Sequence, residues 1–340
     1  MPIRSNRKTE TYYDQFSRSG DVAQSPYPWI FPFGDRGLFL GGQGGSPQED
    51  REWIDYLDIT TTGNAADFGD LIDGNRVIQG CSNAARGVVA GGTDSPGNII
   101  QYNTIATLGN ATDFGDAGVT RDKLGAGASR TRGIFVGGEG GGNVIEYVTI
   151  SSTGNAVNFG DIGHGAEMRF CSAASDSTRT FFGGGYTSST LYDTIEYLTT
   201  ASTGNGVDFG NMTGGKNGPA ALSSSTRGIF AGGSPAAGWG SDTNVINYIT
   251  ISTTGNAADF GDLSVARSRV QGCSNSTRGL VMGGVTPSVS DVIDYITTAT
   301  LGNATDFGNL AAATERVGSA ASPTRALGFA GGVPGGTVNT

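Results

Sequence analysis

The chain has 340 residues, of which 58 are glycine, while hydrophobic residues make up 36% and charged residues 15%. Glycine averages about 7% of an ordinary protein, so this composition predicts short strands and turns and leaves little for helices. The formal net charge of −10 leaves too few lysines and arginines to neutralise nucleic-acid phosphates, and we expect no nucleic-acid partner.

The first eight residues, from Met1 to Lys8, lack the apolar run of a secretory signal, and no stretch is apolar enough to span a membrane. We therefore expect a soluble protein that is not exported by the usual route and does not insert into a membrane.

Residues 1–35 form an N-terminal arm that lacks the repeat found in the rest of the chain. Basic residues come first and aromatic residues follow, a pattern that predicts docking on an acidic partner protein. A second interpretation stays open, in which Thr9–Phe33 completes the fold and only the first eight residues are free. The candidate attachment residues are Arg4, Arg7, Lys8, Tyr12, Tyr13, Trp29, Phe31 and Phe33.

From residue 36 onward, an arginine followed by a short apolar run and Gly-Gly recurs seven times. The steps between the glycine pairs are 50, 46, 47, 48, 51 and 48 residues. A fixed period of this size indicates an array of similar structural units. The repeat arginines are Arg36, Arg86, Arg132, Arg179, Arg227, Arg278 and Arg325.

A second motif lies between the arginines: a tyrosine strand, a Gly-Asn pair, and a phenylalanine twelve residues after the tyrosine. Gly-Asn suits the positive φ angles of a tight hairpin turn, so the motif predicts two paired strands. The tyrosines are Tyr56, Tyr102, Tyr147, Tyr197, Tyr248 and Tyr295, and the phenylalanines are Phe68, Phe114, Phe159, Phe209, Phe260 and Phe307.

We interpret each unit as a four-stranded blade, with a small-residue strand a, the Gly-Gly strand b, the tyrosine strand c and the phenylalanine strand d. Residues 36–340 then form an all-β propeller. This reading counts 25 strands, whereas six blades need 24 and seven need 28. We prefer seven blades over six, with Pro28–Phe33 as the first a strand and Thr9–Phe16 beside the last strands, because strand 326–330 would otherwise be a surplus edge.

The pattern resembles the kelch repeat, in which an apolar strand ending in Gly-Gly leads to a tyrosine strand and then to an aromatic residue. It departs from kelch blades in having phenylalanine where they usually carry tryptophan. The sequence motif Thr-Gly-Asn-Ala-x-Asp-Phe-Gly-Asp is similar to the glycine-rich kelch-like repeats in structural proteins of marine tailed phages. The resemblance covers residues 36–332 and implies a tail-associated or capsid-associated virion protein.

Length varies almost only in the b–c loops, because the distance from glycine pair to tyrosine ranges from 10 to 16 residues while the return distance stays at 35 to 37. The b–c and d–a connections share one face of the disc, and insertions in repeat proteins often mark the binding face. Drift of solvated loops is the competing explanation. The candidate binding residues on this face are Arg51, Arg76, Arg121, Lys123, His164, Arg169, Tyr186, Tyr192, Lys216, Trp239, Arg267 and Arg269.

The opposite face repeats the same residues in each unit. We expect its arginines and its aspartates, such as Asp113 and Asp259, to form ion pairs or cap turns rather than bind ligand.

The sequence contains no recognisable catalytic constellation, and we expect no enzyme activity, no metal and no cofactor. His164 is the only histidine, and Cys81, Cys171 and Cys273 are 90 and 102 residues apart, which fits buried, unpaired thiols better than a metal site. Asp-Phe-Gly lacks the other motifs of a kinase, and calcium at the repeated aspartates has no established loop spacing behind it.

The function expected from this sequence is a non-enzymatic virion protein, synthesised in the host cytoplasm and present in many copies on the particle surface or tail. The arm would attach it to other virion proteins, and the variable face would bind a host-surface glycan or protein. The alternative is a capsid or tail decoration or adaptor without host contact. A secreted carbohydrate-active propeller is disfavoured.

Overall fold

The structure is a computed structural model that describes residues 36–340 apart from 45–48, 94–95, 177, 238–239, 323, 330–331, 334–335 and 338–340. All regular elements of the described residues are β-strands, and no helix occurs among them. The arm, and with it the expected strand at Pro28–Phe33, lies outside these residues.

The first blade has three strands, β1 (Arg36–Leu40), β4 (Trp53–Asp58) and β5 (Ala66–Asp70), and a short ladder of β2 (Gln43–Gly44) and β3 (Glu49–Asp50) in its b–c loop. The second blade comprises β6 (Gln79–Ser82), β7 (Arg86–Ala90), β8 (Ile99–Thr104) and β9 (Thr112–Asp116). The third comprises β10 (Gly125–Ala128), β11 (Arg132–Val136), β12 (Val144–Thr149) and β13 (Val157–Asp161).

The fourth blade comprises β14 (Ser172–Ser175), β15 (Arg179–Gly183), β16 (Thr194–Thr199) and β17 (Val207–Asn211). The fifth comprises β18 (Ala220–Ser223), β19 (Arg227–Ala231), β20 (Val245–Thr250) and β21 (Ala258–Asp262). The sixth comprises β22 (Gln271–Ser274), β23 (Arg278–Met282), β26 (Val292–Thr297) and β27 (Thr305–Asn309), with the ladder β24 (Val285–Thr286) and β25 (Ser288–Val289) in its b–c loop.

The described residues therefore form a six-bladed propeller, which corrects our preference for seven blades and agrees with the alternative of six. The remaining strands are two hairpins, β28 (Gly318–Ala321) with β29 (Ala326–Phe329), and β30 (Gly332–Val333) with β31 (Gly336–Thr337). The β28–β29 hairpin lies between the sixth and first blades, where the ring of Phe329 stacks on Phe39 with centroids 4.4 Å apart. Strand 326–329 is therefore paired on one side, with β28.

Each blade contains an aromatic pair formed by its c and d strands. The rings of Tyr147 and Phe159, for example, meet edge to face with centroids 5.8 Å apart. Five of the six phenylalanines are 2% exposed, whereas the tyrosines are half-buried. The inner a strands are built mainly from small residues, and Cys81, Cys171 and Cys273 are buried, as predicted, and form no disulfide with one another.

Neighbouring blades are joined at their outer strands by the Gly-Asn turns. The turn of each later blade reaches back to the d strand of the blade before it: the amide of Gly154 donates to the carbonyl of Phe114, and Asn155 Oδ1 accepts from the Asp116 amide at 3.1 Å. This contact explains the glycine after five of the six phenylalanines, since a Cβ on Gly115 would lie 2.5 Å from the Gly154 carbonyl carbon.

The repeat arginines also cross between blades. Arg132 stacks over Tyr147 of its own blade at 4.3 Å and donates to the Thr200 carbonyl of the next blade at 3.0 Å. Between the described residues, no ion pair joins the repeat arginines to the repeated aspartates, and four of these carboxylates accept from backbone amides instead, as Asp113 Oδ1 does from Gly115 at 2.9 Å. The turn-capping half of that expectation is confirmed for Asp113, Asp208, Asp259 and Asp306.

Candidate functional site

The b–c and d–a connections lie together on one face of the disc, which we call the loop face. Three of the charged residues predicted to form a binding surface there are instead buried inside it. Arg121 is 2% exposed, Lys216 is 2% exposed and Arg267 is 0% exposed. They occupy the same place in the repeat, eleven residues before the repeat arginine, and they therefore serve as internal contacts of the propeller.

The partner of this buried position is the middle residue of the Ile-x-Tyr strand. Arg121 Nη2 contacts Glu146 Oε2 at 2.5 Å, and Arg267 Nη2 contacts Asp294 Oδ2 at 2.7 Å. A buried charge is costly without a partner. In the fifth blade both positions differ, because Lys216 stands in place of the arginine and Asn247 in place of the acid. Lys216 Nζ donates to the Val245 carbonyl at 2.6 Å, and burial lowers the pKa of its ammonium group to about 7, although Asp259 and Asp262 oppose the shift.

His164 has a comparable structural contact in the fourth blade. Its Nδ1 lies 2.7 Å from Glu196 Oε1, and its ring lies 4.6 Å from the ring of Tyr192. The Glu196 carboxylate also accepts from the amides of Gly163 and His164 at 2.7 and 3.0 Å. His164 and Tyr192 thus pack on each other rather than form separate contact points.

The innermost strands of a propeller surround a central channel. The residues that lie two positions before these strands, and nine before the repeat arginines from Arg86 onward, are therefore at the channel mouth, in the centre of the loop face. All of these residues adopt the left-handed conformation, with φ between 52° and 58°. Five of them are not glycine, and such strained backbone costs about 1–3 kcal/mol per residue and clusters at functional sites. The channel-mouth residues are Val77, Lys123, Phe170, Gly218, Arg269 and Arg316.

Backbone hydrogen bonds link several of these residues around the mouth. The amide of Phe170 donates to the Lys123 carbonyl at 2.8 Å, and the amide of Arg316 donates to the Arg269 carbonyl at 3.1 Å. These bonds between neighbouring blades help to hold the left-handed conformation at those residues.

Phe170 is the residue on which the side chains of the mouth converge. Lys123 Nζ and the guanidinium carbon of Arg316 each lie 5.8 Å from the centre of its ring, and the ring of Tyr186 stacks parallel to it at 6.3 Å. Lys123 belongs to the adjacent blade, whereas Arg316 precedes β28, several blades away along the ring. The phenyl ring therefore reaches across the mouth.

Most cations near the mouth have acidic partners. Lys123 pairs with Glu139, which also accepts from Arg169 Nη1 at 2.7 Å; Arg269 Nη1 contacts Glu315 Oε2 at 2.5 Å. Arg76 Nε lies 3.5 Å from Asp50 Oδ1. Among the described residues, Arg316 makes no ion pair. Partial desolvation lowers the pKa of its guanidinium, the charges of Arg269 and Arg76 lower it further, and Glu315 opposes them.

This geometry suits the binding of a negatively charged group. Arg316 is exposed and lies near two other guanidinium groups, whose repulsion an anion would relieve. The adjoining Phe170 and Tyr186 rings offer an apolar surface beside the charge, and aromatic and arginine side chains are those that contribute most to binding energy.

The other predicted residues of the face are distributed around this centre. The Arg51 guanidinium lies over the ring of Trp53 at 4.7 Å, and Trp53 itself is 57% exposed. Arg76, Arg169 and Tyr186 lie beside the mouth, as described above. Trp239 and all eight residues predicted for the arm lie outside the described residues.

Sequence reasoning missed Phe170 as a site residue and left Arg316 out of the candidate set. The signal that identifies both is a constant offset from the repeat arginine, nine residues in every unit. Residue type alone does not reveal this position, because different units carry Val, Lys, Phe, Gly or Arg there.

Within the part of the chain that the structure describes, no group of three or more His, Cys, Asp or Glu side chains could hold a metal ion. No helix in that same part could cross a membrane. Models of known protein families do not match the chain, and a search of curated proteins found no match either.

Proposed function

We propose that this protein is a non-enzymatic binding module whose loop face, centred on the channel mouth, binds a ligand that carries a negatively charged group. The observation that supports this proposal most directly is Arg316, an exposed cation without an ion pair among the described residues, next to the ring of Phe170. The strained backbone at the five non-glycine channel-mouth positions supports it further, because local strain is retained where function requires it.

The biological setting of the proposal is a virion. It rests on the resemblance of the Thr-Gly-Asn-Ala-x-Asp-Phe-Gly-Asp repeat to structural proteins of marine tailed phages. In that setting the chain is made in the host cytoplasm, is carried in many copies on the particle surface or tail, and binds a host-surface glycan or protein. The basic residues Arg4, Arg7 and Lys8 would contact other virion proteins.

Binding of the purified chain to bacterial envelope preparations tests the proposal. Arg316→Gln removes the charge at the mouth, and we expect it to weaken binding by about tenfold or more, since a charge-assisted contact contributes about 1.5–3 kcal/mol. Arg278→Gln is the control, because Arg278 is exposed at the start of β23 on the opposite face and should leave binding unchanged.

Three results would contradict parts of the proposal. Equal binding by the Arg316→Gln protein would place the ligand elsewhere on the propeller. No binding of any chain to envelopes, together with stoichiometric occupancy of purified virions, would favour a decoration or adaptor protein. Absence from virions altogether would remove the biological setting while leaving the anion-binding surface to be tested separately.

A further inference from the structure

Counting only the described residues, the interface between the sixth and first blades lacks contacts that the other blade interfaces have. At five interfaces the d-strand phenylalanine is covered by the Gly-Asn turn of the following blade and is 2% exposed, whereas Phe307 of the sixth blade is 55% exposed. Among the described residues, no amide donates to the Phe307 carbonyl. A Cβ on Gly308 would meet nothing within 4 Å, although the equivalent glycines face backbone at 2.3–2.5 Å.

The repeat arginines show the same difference. Five of them donate across to the next blade, and Arg325 of the β28–β29 hairpin reaches the Ile59 carbonyl of the first blade at 3.5 Å. Arg278 of the sixth blade has no such bond to a described residue, and it is exposed where the five others are half-buried. The hairpin thus contacts the first blade in the usual way, but the space outside it has no described occupant.

This space forms a wedge with apolar walls. Its outer part is a groove of about 320 Å³ lined by Leu57, Ile59 and Thr61–Gly63 of the first blade and by Arg325–Leu327 of the hairpin. Within the described residues β29 pairs only with β28, so its other edge faces the groove. Unpaired strand edges readily accept another strand.

An inner cavity continues the wedge toward the channel. It is lined mainly by apolar side chains, including Leu38 and Leu40 of β1, Cys81 and Val88 of the second blade, and Ala320 of β28. In the first blade, β1 has no inner partner strand among the described residues, although the b strand of every other blade pairs with an a strand.

We propose that this wedge is the docking site for residues 9–33 of the same chain, with Trp29–Pro32 beside β1 and the stretch around Tyr12–Phe16 covering Phe307. The repeat supplies the register. Strand a runs from seven to four residues before the repeat arginine in all five four-stranded blades, and counting back from Arg36 gives Trp29–Pro32.

The outer position follows from the same counting. The d-strand phenylalanine precedes the next repeat arginine by 18 residues in five units and by 20 from Phe159 to Arg179, and Phe16 precedes Arg36 by 20 residues. Ser17 departs from the pattern by replacing the glycine that follows each other phenylalanine. The segment enters β1 directly, so its local concentration at the wedge exceeds that of any free partner.

Cysteine labelling tests this inference without knowledge of any ligand. The native thiols give little background, because they are at most 5% exposed and burial raises the pKa of Cys171 and Cys273 to about 12. Phe307→Cys reports on the wedge, and Thr107→Cys, on the exposed second-blade turn, is the reference for free access. In the full chain we expect the cysteine at position 307 to react with a maleimide at a rate at least about tenfold lower than that of the cysteine at position 107.

Deleting residues 2–33 from each variant should raise the rate at position 307 to that at 107, and a synthetic peptide of residues 9–33 should restore the protection. Equal rates at 307 and 107 in the full-length protein would overturn the inference, whether or not the truncated chain folds. Protection that depends on protein concentration and accompanies a dimeric mass would also overturn it, in favour of a second copy as the occupant. In the unmodified chain, slow hydrogen exchange of β27 that becomes fast on truncation supplies a second readout.

Discussion

Arg267 and Asp294 form an ion pair in which both side chains are fully buried, with Nη2 and Oδ2 2.7 Å apart. The same guanidinium donates to the carbonyls of Gly283 and Val292 at 3.0 and 2.6 Å. Asn75 and Gln101 occupy these two repeat positions in the second blade, where Asn75 donates to the Gly91 carbonyl at 3.2 Å. These two repeat positions thus hold a charged pair in the sixth blade and two neutral side chains in the second.

This relationship predicts how the sixth blade responds to substitution. Arg267→Asn alone leaves the buried Asp294 carboxylate without its ion-pair partner and should lower the free energy of unfolding by about 3–5 kcal/mol. The double variant with Asp294→Gln reproduces the pair of the second blade and should recover most of that loss. Urea unfolding of the wild type, both single variants and the double variant measures the coupling, and strictly additive losses would show that the pair does not act as a unit.

The aromatic pairs of the blades give a second prediction. Phe159→Ala removes a ring that is 2% exposed and should cost about 3–5 kcal/mol, as other buried aromatic truncations do. Tyr147→Ala should cost less, because Tyr147 is half-buried. Leu108→Ala is the surface control and should cost little, because Leu108 is 56% exposed beside a Gly-Asn turn. If all three alanine variants lose the same stability, the assignment of core and surface within a blade is wrong.

The cross-blade arginines predict a difference between two equivalent positions. Arg132→Ala removes both the stacking on Tyr147 and the bond to Thr200, for which we expect a loss of about 1–3 kcal/mol. Arg278 stacks on Tyr295 but has no cross-blade bond to a described residue, so Arg278→Ala should cost about 1 kcal/mol or less. Thermal and urea unfolding of the two proteins provide the comparison. A larger loss for the Arg278 variant would show that the cross-blade arginine bonds do not stabilise the propeller.

Lys216 predicts a pH dependence. Burial lowers the pKa of its ammonium group from 10.5 to about 7 in the folded state, so between these values the unfolded chain binds a proton that the folded chain does not. The free energy of unfolding should therefore rise with pH across this range through this group, and below about pH 7 its contribution should stay constant.

Lys216→Met isolates that contribution. The variant should show a flatter dependence of stability on pH from 7 to about 9 than the wild type, a range chosen to lie below tyrosine ionisation. Lys123→Met is the control, because the pKa of Lys123 is raised by its bond to Glu139 and by the charges of Asp122 and Glu139, despite opposing desolvation. An unchanged slope in Lys216→Met would mean that Lys216 keeps an ordinary pKa in the folded protein.

Much of the architecture was predictable because each unit repeats its local chemistry. The twelve-residue spacing from tyrosine to phenylalanine around Gly-Asn defined the c–d hairpins, and the Gly-Gly runs defined the b strands. These features depend on turn geometry and on alternation within a strand, which neighbouring residues determine. The buried state of the cysteines followed in the same way from their place in or beside small-residue strands.

Tertiary structure alone decided which charges reach solvent and how the ring is arranged. Arg121, Lys216 and Arg267 look like surface cations in the sequence, yet they are buried because the following c strand offers a carboxylate or carbonyl oxygens at the correct distance. Phe170 and Arg316 are far apart along the chain and meet only across the channel. The blade number likewise depends on contacts between the two ends of the repeat array, which no local spacing encodes, because a repeat specifies its neighbours and not the closure of the ring.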